Sequence, residues 1–384
     1  MIRILSIYSK MKSLVYDFIP FRKRKVFKIL SNQKWAYVSY LVEPLFHEDN
    51  DFQYFNKHQN RREALVIKDV LFNNGYNVVF EQFNKKMTQW NFLYKNKFDL
   101  VFGLEPNFVT IAKKNPLAKK IYYATGAYYK HQNKMIQLRT ENFNQKYNTS
   151  YPLRRTVMPH DSIIIANSIL QIGSTFTVET YPVECRNKIT LIDQSSNIVS
   201  SFQKEKKIKY MKKDEYIWFG GGGNILKGLD IVIEYFSKHP EYKLHIVGNI
   251  EEAILENMNV DSFNNILLHG YMDVASSDFI NIAYQCAFCI YPSASEGGCP
   301  GTVIQLMNFG VIPIVSKWAS FNEIENYGFI IDLNIDSIHQ GITWSQNLSI
   351  SQLHDKSISC AMFASSKWNL NRFKQQFTTF ITSL

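Results

Sequence analysis

The chain has 384 residues, of which 46% are hydrophobic and 15% aromatic, with a formal net charge of +10. That length suits two domains rather than one, and the composition excludes a disordered or collagen-like protein. No run of about 20 apolar residues is present to span a bilayer, and the N-terminus lacks the apolar block and small-residue cleavage site of a secretory signal.

The charge is concentrated at the start. Residues 1–30 carry Arg3, Lys10, Lys12, Arg22, Lys23, Arg24, Lys25 and Lys28 against Asp17 alone, which is +7 of the total. Leu14, Phe18, Phe21, Val26 and Phe27 are interleaved with them. This is the composition of a segment that lies on an anionic lipid surface. A basic helix packed on its own domain is the alternative. No nucleic-acid motif accompanies the charge, so nucleic acid is not an expected partner.

Next, WAYVSYLV (35–42) predicts a strand and NRREALVIKDVLFNN (60–74) a helix, stopped by Gly75. Strands are predicted at 77–83, 98–104, 119–126 and 160–168, and a long polar helix at 129–147. TFTVETYPV and NKITLIDQSS also read as strands. KEKKIKYMKKDE (204–215) is highly charged and predicts an interdomain linker without a core. After it the alternation restarts: strands in YIWFG, KLHIVG, NILLHG, CAFCIYPS, VIPIVS and YGFIID, with helices at 228–237, 251–258, 276–284 and 301–309. Two helices finish the chain, parted near Ser366–Asn369. The predicted fold class is α/β: two Rossmann-like, doubly wound parallel sheets facing across a cleft. The predicted division is a basic amphipathic head (1–30), an acceptor domain (31–203), a linker (204–215), a donor domain (216–366) and a C-terminal helix (367–384) that packs back on the first domain.

Cys185, Cys286, Cys289, Cys299 and Cys360 are odd in number, in a chain long enough to need no staples. That points to a reducing, cytoplasmic setting. Cys286-x-x-Cys289 lies between a helix end and an apolar strand and reads as core. No cluster with metal-ligand spacing stands in a strand-end loop, so no metal site is assigned.

Ligands of open α/β sheets bind beyond the carboxyl ends of strands. Two loops there carry chemistry. WFGGGGNILKGLD (218–230) follows a strand with Gly220, Gly221, Gly222 and Gly223, and Lys227-Gly228 opens a helix. Glycine amides, a helix N-terminus and a lysine could hold a diphosphate. The alternative is a glycine turn with a solvated lysine. YPSASEGGCPGTVIQLMNFGVIPIVS (291–316) places Glu296, Gly297 and Gly298 between a strand and a helix. Glu296 can accept hydrogen bonds from sugar hydroxyls, or merely complement the dipole of the helix.

Both loops, in this order, resemble the glycosyl transferases group 1 family of retaining, two-domain (GT-B) glycosyltransferases. The matching residues are Lys227-Gly228, Pro292-Ser293, Ser295-Glu296-Gly297, Gln305-Leu306-Met307, Gly310 and Pro313-Ile314-Val315, over roughly 215–332. The resemblance implies sugar transfer from a nucleotide-sugar to a glycan or lipid-linked acceptor in cell-surface polysaccharide synthesis, with retention; the lack of an Asp-x-Asp cluster in a strand-end loop adds the expectation that no metal takes part. It implies no tightly bound cofactor, the nucleotide-sugar being the donor substrate; the cysteines and the basic head add the expectation of a cytoplasmic enzyme, peripheral on the inner membrane face. The implied donor contacts are Gly221, Gly222, Gly223, Lys227, Asn249, Tyr271, Gly297, Gly298, Thr302 and Gln305; the catalytic set is Glu296, Lys227 and His131. Of the acceptor-side candidates Glu43, His47, Glu105, Thr125, Gly126 and His131, the last is favoured, against a surface histidine on a polar helix. Two departures stand out: Gln305 replaces the family's second glutamate, and Gly222 stands for its arginine. They motivate the alternatives, a non-catalytic sugar-nucleotide-binding subunit or an epimerase or hydrolase on the same scaffold.

Overall fold

The computed structural model describes residues 24–29, 33–84, 95, 97–196 and 201–384. Most of the basic head, residues 1–23, lies outside them.

The first sheet has seven strands in the order β1-β3-β2-β4-β5-β6-β7: β1 (Arg24–Phe27), β2 (Trp35–Tyr40), β3 (Asn77–Gln82), β4 (Leu100–Gly103), β5 (Lys119–Ala124), β6 (Ser168–Ile172) and β7 (Ile189–Ile192). β1 runs antiparallel to β3, and the remaining pairs are parallel. The end of the expected head is thus an edge strand of the first domain, and Lys25 donates to the Leu45 carbonyl.

The second sheet is wholly parallel, in the order β10-β9-β8-β11-β12-β13: β8 (Lys212–Phe219), β9 (Lys243–Val247), β10 (Ile266–Gly270), β11 (Cys286–Tyr291), β12 (Ile312–Ser316) and β13 (Phe329–Ile331). The chain winds outward from β8 to β10, then returns to β11 on the other side of β8. The crevice between β8 and β11 is therefore the switch point where such a sheet binds ligands.

Each sheet is covered on both faces, which is why its strands read as continuous apolar runs rather than alternating ones. Helix Asn60–Asn73 and the C-terminal helix Leu370–Thr382 cover one face of the first sheet. Phe373 and Phe377 are fully buried there, and Phe377 meets Phe102 edge to face at 5.4 Å. Burying one such side chain is worth about 1.5–3 kcal/mol. In the opposite sense, helix Tyr129–Tyr147 of the first half sends Phe143 into the core of the second domain. The two domains thus exchange helices.

Several expectations are corrected. The 160–168 run is not a strand: Ser162–Ile165 is a short helix. The strand starts at Ser168, fixed by Asn167, whose Oδ1 accepts from Lys120 N–H at 2.8 Å. TFTVETYPV is not a strand either. Thr175–Glu179 is a helix, followed by a second short one at Val183–Arg186 behind Pro182, and only Ile189–Ile192 is extended. Helix Ile335–Asn347 has no counterpart in the sequence reading. Its polar composition masks it, and Gly341 lies where a Cβ would stand 2.7 Å from Ile314.

The charged 204–215 segment is not coreless. Lys204–Tyr210 is helical and Lys212 already begins β8. Lys207 is 0% exposed and donates to the carbonyls of Ala283 and Cys286 at 2.9 and 2.6 Å. Burial lowers its pKa to about 7. Cys286 and Cys289 are buried on β11, and burial pushes both thiols up, Cys289 to about 12. Among the described residues no helix is long and apolar enough to cross a membrane.

Candidate functional site

The loops after β8 and β11 form one structure. Ala294 N–H donates to the Leu226 carbonyl at 2.8 Å. Gly228, at φ +72°, lies against Pro292, where a Cβ would stand 2.4 Å from the Pro292 carbonyl oxygen. The glycine after Lys227 is therefore fixed by the proline of the other loop: a side chain would separate them.

The first domain closes over this pair of loops. A Cβ on Gly297 would meet the Thr125 carbonyl oxygen at 2.6 Å, beyond the end of β5. One on Gly298 would meet Gly173 Cα at 2.6 Å, beyond the end of β6. The two glycines let backbone touch backbone across the domain boundary. Beside this contact is a cavity of about 310 Å³.

Lys227 reaches the cavity from the end of the glycine turn. It is 9% exposed, and its Nζ donates to the Gly221 carbonyl at 3.4 Å. Burial lowers its pKa; Glu296 raises it and Arg155 lowers it further. The glycine amides behave otherwise than expected. Gly223 N–H donates to Glu251 Oε1 at 2.7 Å, and Asn224 N–H to Oε2 at 3.2 Å. Glu251 N–H in turn donates to Asn224 Oδ1 at 2.6 Å. A carboxylate of this chain occupies the place at Gly223 foreseen for an anion.

Glu296 faces Lys227 from the β11 side. Its Oε1 accepts from Ser293 Oγ at 3.1 Å and from the Tyr291 hydroxyl at 3.4 Å. Burial of Tyr291 first, and the Glu296 charge second, push that phenol up, so it stays a donor. Helix Gly301–Met307 adds Thr302 and Gln305 to the wall. Gln305 is 6% exposed, and its Nε2 is buried without a partner. A buried amide donor left unpaired costs about 1–3 kcal/mol, and in a cavity wall it marks where a ligand acceptor would bind.

The cavity thus gathers Glu296, Lys227, Gly297, Gly298, Thr302 and Gln305. Gly221, Gly222 and Gly223 border it without lining it. Asn249 and Tyr271 are exposed, Tyr271 by 74%, and neither lines it; Phe219 and Val274 do. His131 does not line it either. It bonds the Ala294 backbone and packs 4.5 Å from the Trp318 ring, where burial lowers its pKa. Glu105 is drawn away toward His160, 3.7 Å off, and His47 pairs with Asp51 at 2.9 Å. Thr125 does line the cavity, as do Ser195 and Arg155, which sequence reasoning missed. Ser195 and Arg155 sit in loops with no periodicity to mark them.

Among the described residues, one group has the donors and spacing for a metal: Glu215, His245 and Cys286. It lies in the second sheet itself. Glu215 already accepts from His245 at 3.0 Å, Gln285 at 2.5 Å and Lys212 at 2.9 Å. Its charge is met, and burial is outweighed so that its pKa falls to about 2.

Residues 215–344 match the sequence model of the family described as Glycosyl transferases group 1. No curated protein sequence matches the chain. Sucrose-phosphate synthase from Thermosynechococcus elongatus has a similar structure, with TM-score 0.58 and 12% identity over 92% of this chain and 99% of that one. Anabaena HepE in complex with UDP and glucose gives TM-score 0.55 and 12% identity, over 92% and 100%. A glycosyltransferase from Rickettsia africae gives 0.53 and 13%, over 91% and 98%. At such identity the likeness is one of fold. Residues 215–344 thus resemble the glycosyl transferases group 1 family, and the chain as a whole has the two-domain GT-B fold.

Proposed function

We propose that the protein transfers a sugar from a nucleotide-sugar donor to a glycan or lipid-linked acceptor in cell-surface polysaccharide synthesis, with retention and without a metal. The observation that carries this reading is the pairing of Lys227 and Glu296 across one cavity at the β8/β11 switch point. The cavity has the components that sugar transfer needs. Lys227 meets the departing diphosphate, with the amides of Gly297 and Gly298 beside it. Glu296 accepts from sugar hydroxyls and opposes the positive charge that develops at the anomeric carbon. Gln305 Nε2 offers its unused N–H to a ribose hydroxyl. Held in place before the reaction, these groups favour the transition state without reorganising. HepE has been crystallised with UDP-glucose, which makes uridine diphosphate sugars the first donors to try. The test is release of nucleoside diphosphate from a panel of sugar nucleotides by the purified chain. Turnover supports the reading, and binding of none of them refutes it.

The Glu251 carboxylate on Gly223 and Asn224 favours a second reading, a subunit that binds sugar nucleotides without turning them over. Ligand-induced stabilisation with no product would select it. The basic residues of 1–23 support contact with an anionic membrane surface on the cytoplasmic side. Removal of 1–23, which spares β1, would then abolish sedimentation with anionic vesicles.

A further inference from the structure

Arg155 belongs to the first half of the chain, in the loop that follows helix Tyr129–Tyr147, yet it ends in the second domain's glycine turn. Its Nη1 donates to the Gly222 carbonyl at 2.9 Å. Its Cδ lies 2.6 Å from where a Cβ of Gly223 would stand, so the turn has no side chain where the arginine crosses it. The loop is strapped to the helix on both sides. Gln132 Nε2 donates to the Arg155 carbonyl at 3.1 Å. Asn133 and Val157 exchange two hydrogen bonds of 2.8 Å, and Asn144 and Tyr151 two of 2.9 Å.

The backbone of Arg155 is left-handed, at φ +62°. Asn148 and Asn259 share that feature among the described non-glycine residues, and asparagine adopts it readily. Arginine does so only against the steric clash of its Cβ with the following carbonyl oxygen. Such strain persists only where the surrounding structure over-determines the backbone, as the bonds from Gln132 and Asn133 do here.

Arg155 lines the same cavity as Lys227, and its charge is felt by both Lys227 and Tyr291. Among the described residues neither Arg155 nor Lys227 has a carboxylate within ion-pair distance. The guanidinium carries five N–H donors, and the Gly222 carbonyl takes one of them. The turn's amides at Gly223 and Asn224 are meanwhile taken by Glu251. Charge compensation for an anion beside the turn is left to side chains.

We propose that Arg155 is the second cation of the diphosphate site, delivered across the cleft so that a bound diphosphate is gripped from both domains at once. This rests on the donor reading of the cavity given above. It assigns a binding residue from the half of the chain that the sequence reserved for the acceptor.

The test is calorimetry of the full chain with uridine diphosphate and with uridine, for the wild type, Arg155→Ala and Arg155→Gly. A charge-assisted contact to phosphate corresponds to roughly ten- to hundredfold in affinity. Both variants should lose that much for uridine diphosphate and nothing for uridine. Arg155→Gly, which relieves the left-handed strain, should melt no lower than the wild type, excluding misfolding as the cause. Equal loss for uridine and uridine diphosphate would overturn the proposal in favour of a structural role. Unchanged uridine diphosphate affinity in both variants would overturn it while leaving the donor reading intact. A wild type that binds neither uridine diphosphate nor the other common nucleoside diphosphates would overturn both.

Discussion

Arg139 and Asp230 form a buried ion pair across the domain boundary. Arg139 Nη2 stands 2.7 and 2.6 Å from the two carboxylate oxygens, and Arg139 Nε donates to the Ile225 carbonyl at 3.3 Å. Burial raises the pKa of Asp230, and the guanidinium opposes that shift. The pair fixes helix Tyr129–Tyr147, and with it the Arg155 loop, to the second domain.

Breaking one partner of such a pair leaves an uncompensated buried charge, at about 3–5 kcal/mol. Asp230→Asn should therefore lower the melting temperature strongly. The double variant Arg139→Met with Asp230→Leu should recover most of the loss, because both charges leave together. Denaturant unfolding of the three proteins checks this; a double variant as unstable as the single one would show that the pair's geometry is needed, not merely its neutrality.

Lys227→Ala should weaken nucleoside diphosphate binding by about 1.5–3 kcal/mol through loss of a charge-assisted contact, with little change in melting temperature. The pH dependence has a definite sign. Burial holds the folded-state pKa of Lys227 below 10.5, so rising pH removes its charge earlier than for a free lysine. Affinity should fall over that alkaline range in the wild type and stay flat in Lys227→Arg. Calorimetry across pH reads both, and a flat wild-type profile would place the lysine charge outside the binding step.

Glu296→Gln keeps size and one acceptor but removes the charge. If the carboxylate opposes positive charge at the anomeric carbon, turnover should fall far more than donor affinity, as for an interaction realised mainly in the transition state. If it only complements the dipole of helix Gly301–Met307, the cost is about 0.3–1 kcal/mol of stability and turnover survives. Turnover and melting temperature on one variant separate these outcomes.

Lys207 predicts a stability profile. Its folded pKa is about 7, against an ordinary value of 10.5. Between these values the unfolded chain binds a proton that the folded one does not. Stability from this group therefore rises with pH through that window, by at most about 1.4 kcal/mol per pH unit, and is lost as pH falls toward 7. Lys207→Met should flatten the profile and stabilise the protein at neutral and lower pH. Chemical denaturation at several pH values decides it; a profile unchanged by the substitution would mean that Lys207 stays charged in the core.

What the sequence determined by itself is the repeating βα pattern of both halves and the position of the two chemical loops. Apolar strands broken by glycine and followed by periodic helices leave few other folds, and loops beyond strand ends are where such folds bind ligands. Lys227 and Glu296 were legible for that reason. Lys207 was misread because charge patterning carries no information on burial: two carbonyls, of Ala283 and Cys286, supply what water would have supplied. The short helices at 162–165 and 175–179 were misread because β-branched residues fit either state until Asn167 and Pro182 set the boundaries. The tertiary structure alone decided which side chains meet. It drew His131 to Trp318 instead of the cavity, laid the Glu251 carboxylate on Gly223, and brought Arg155 to Gly222 from 67 residues away. Such contacts depend on how two separately wound sheets close on each other, and no local periodicity encodes that closure.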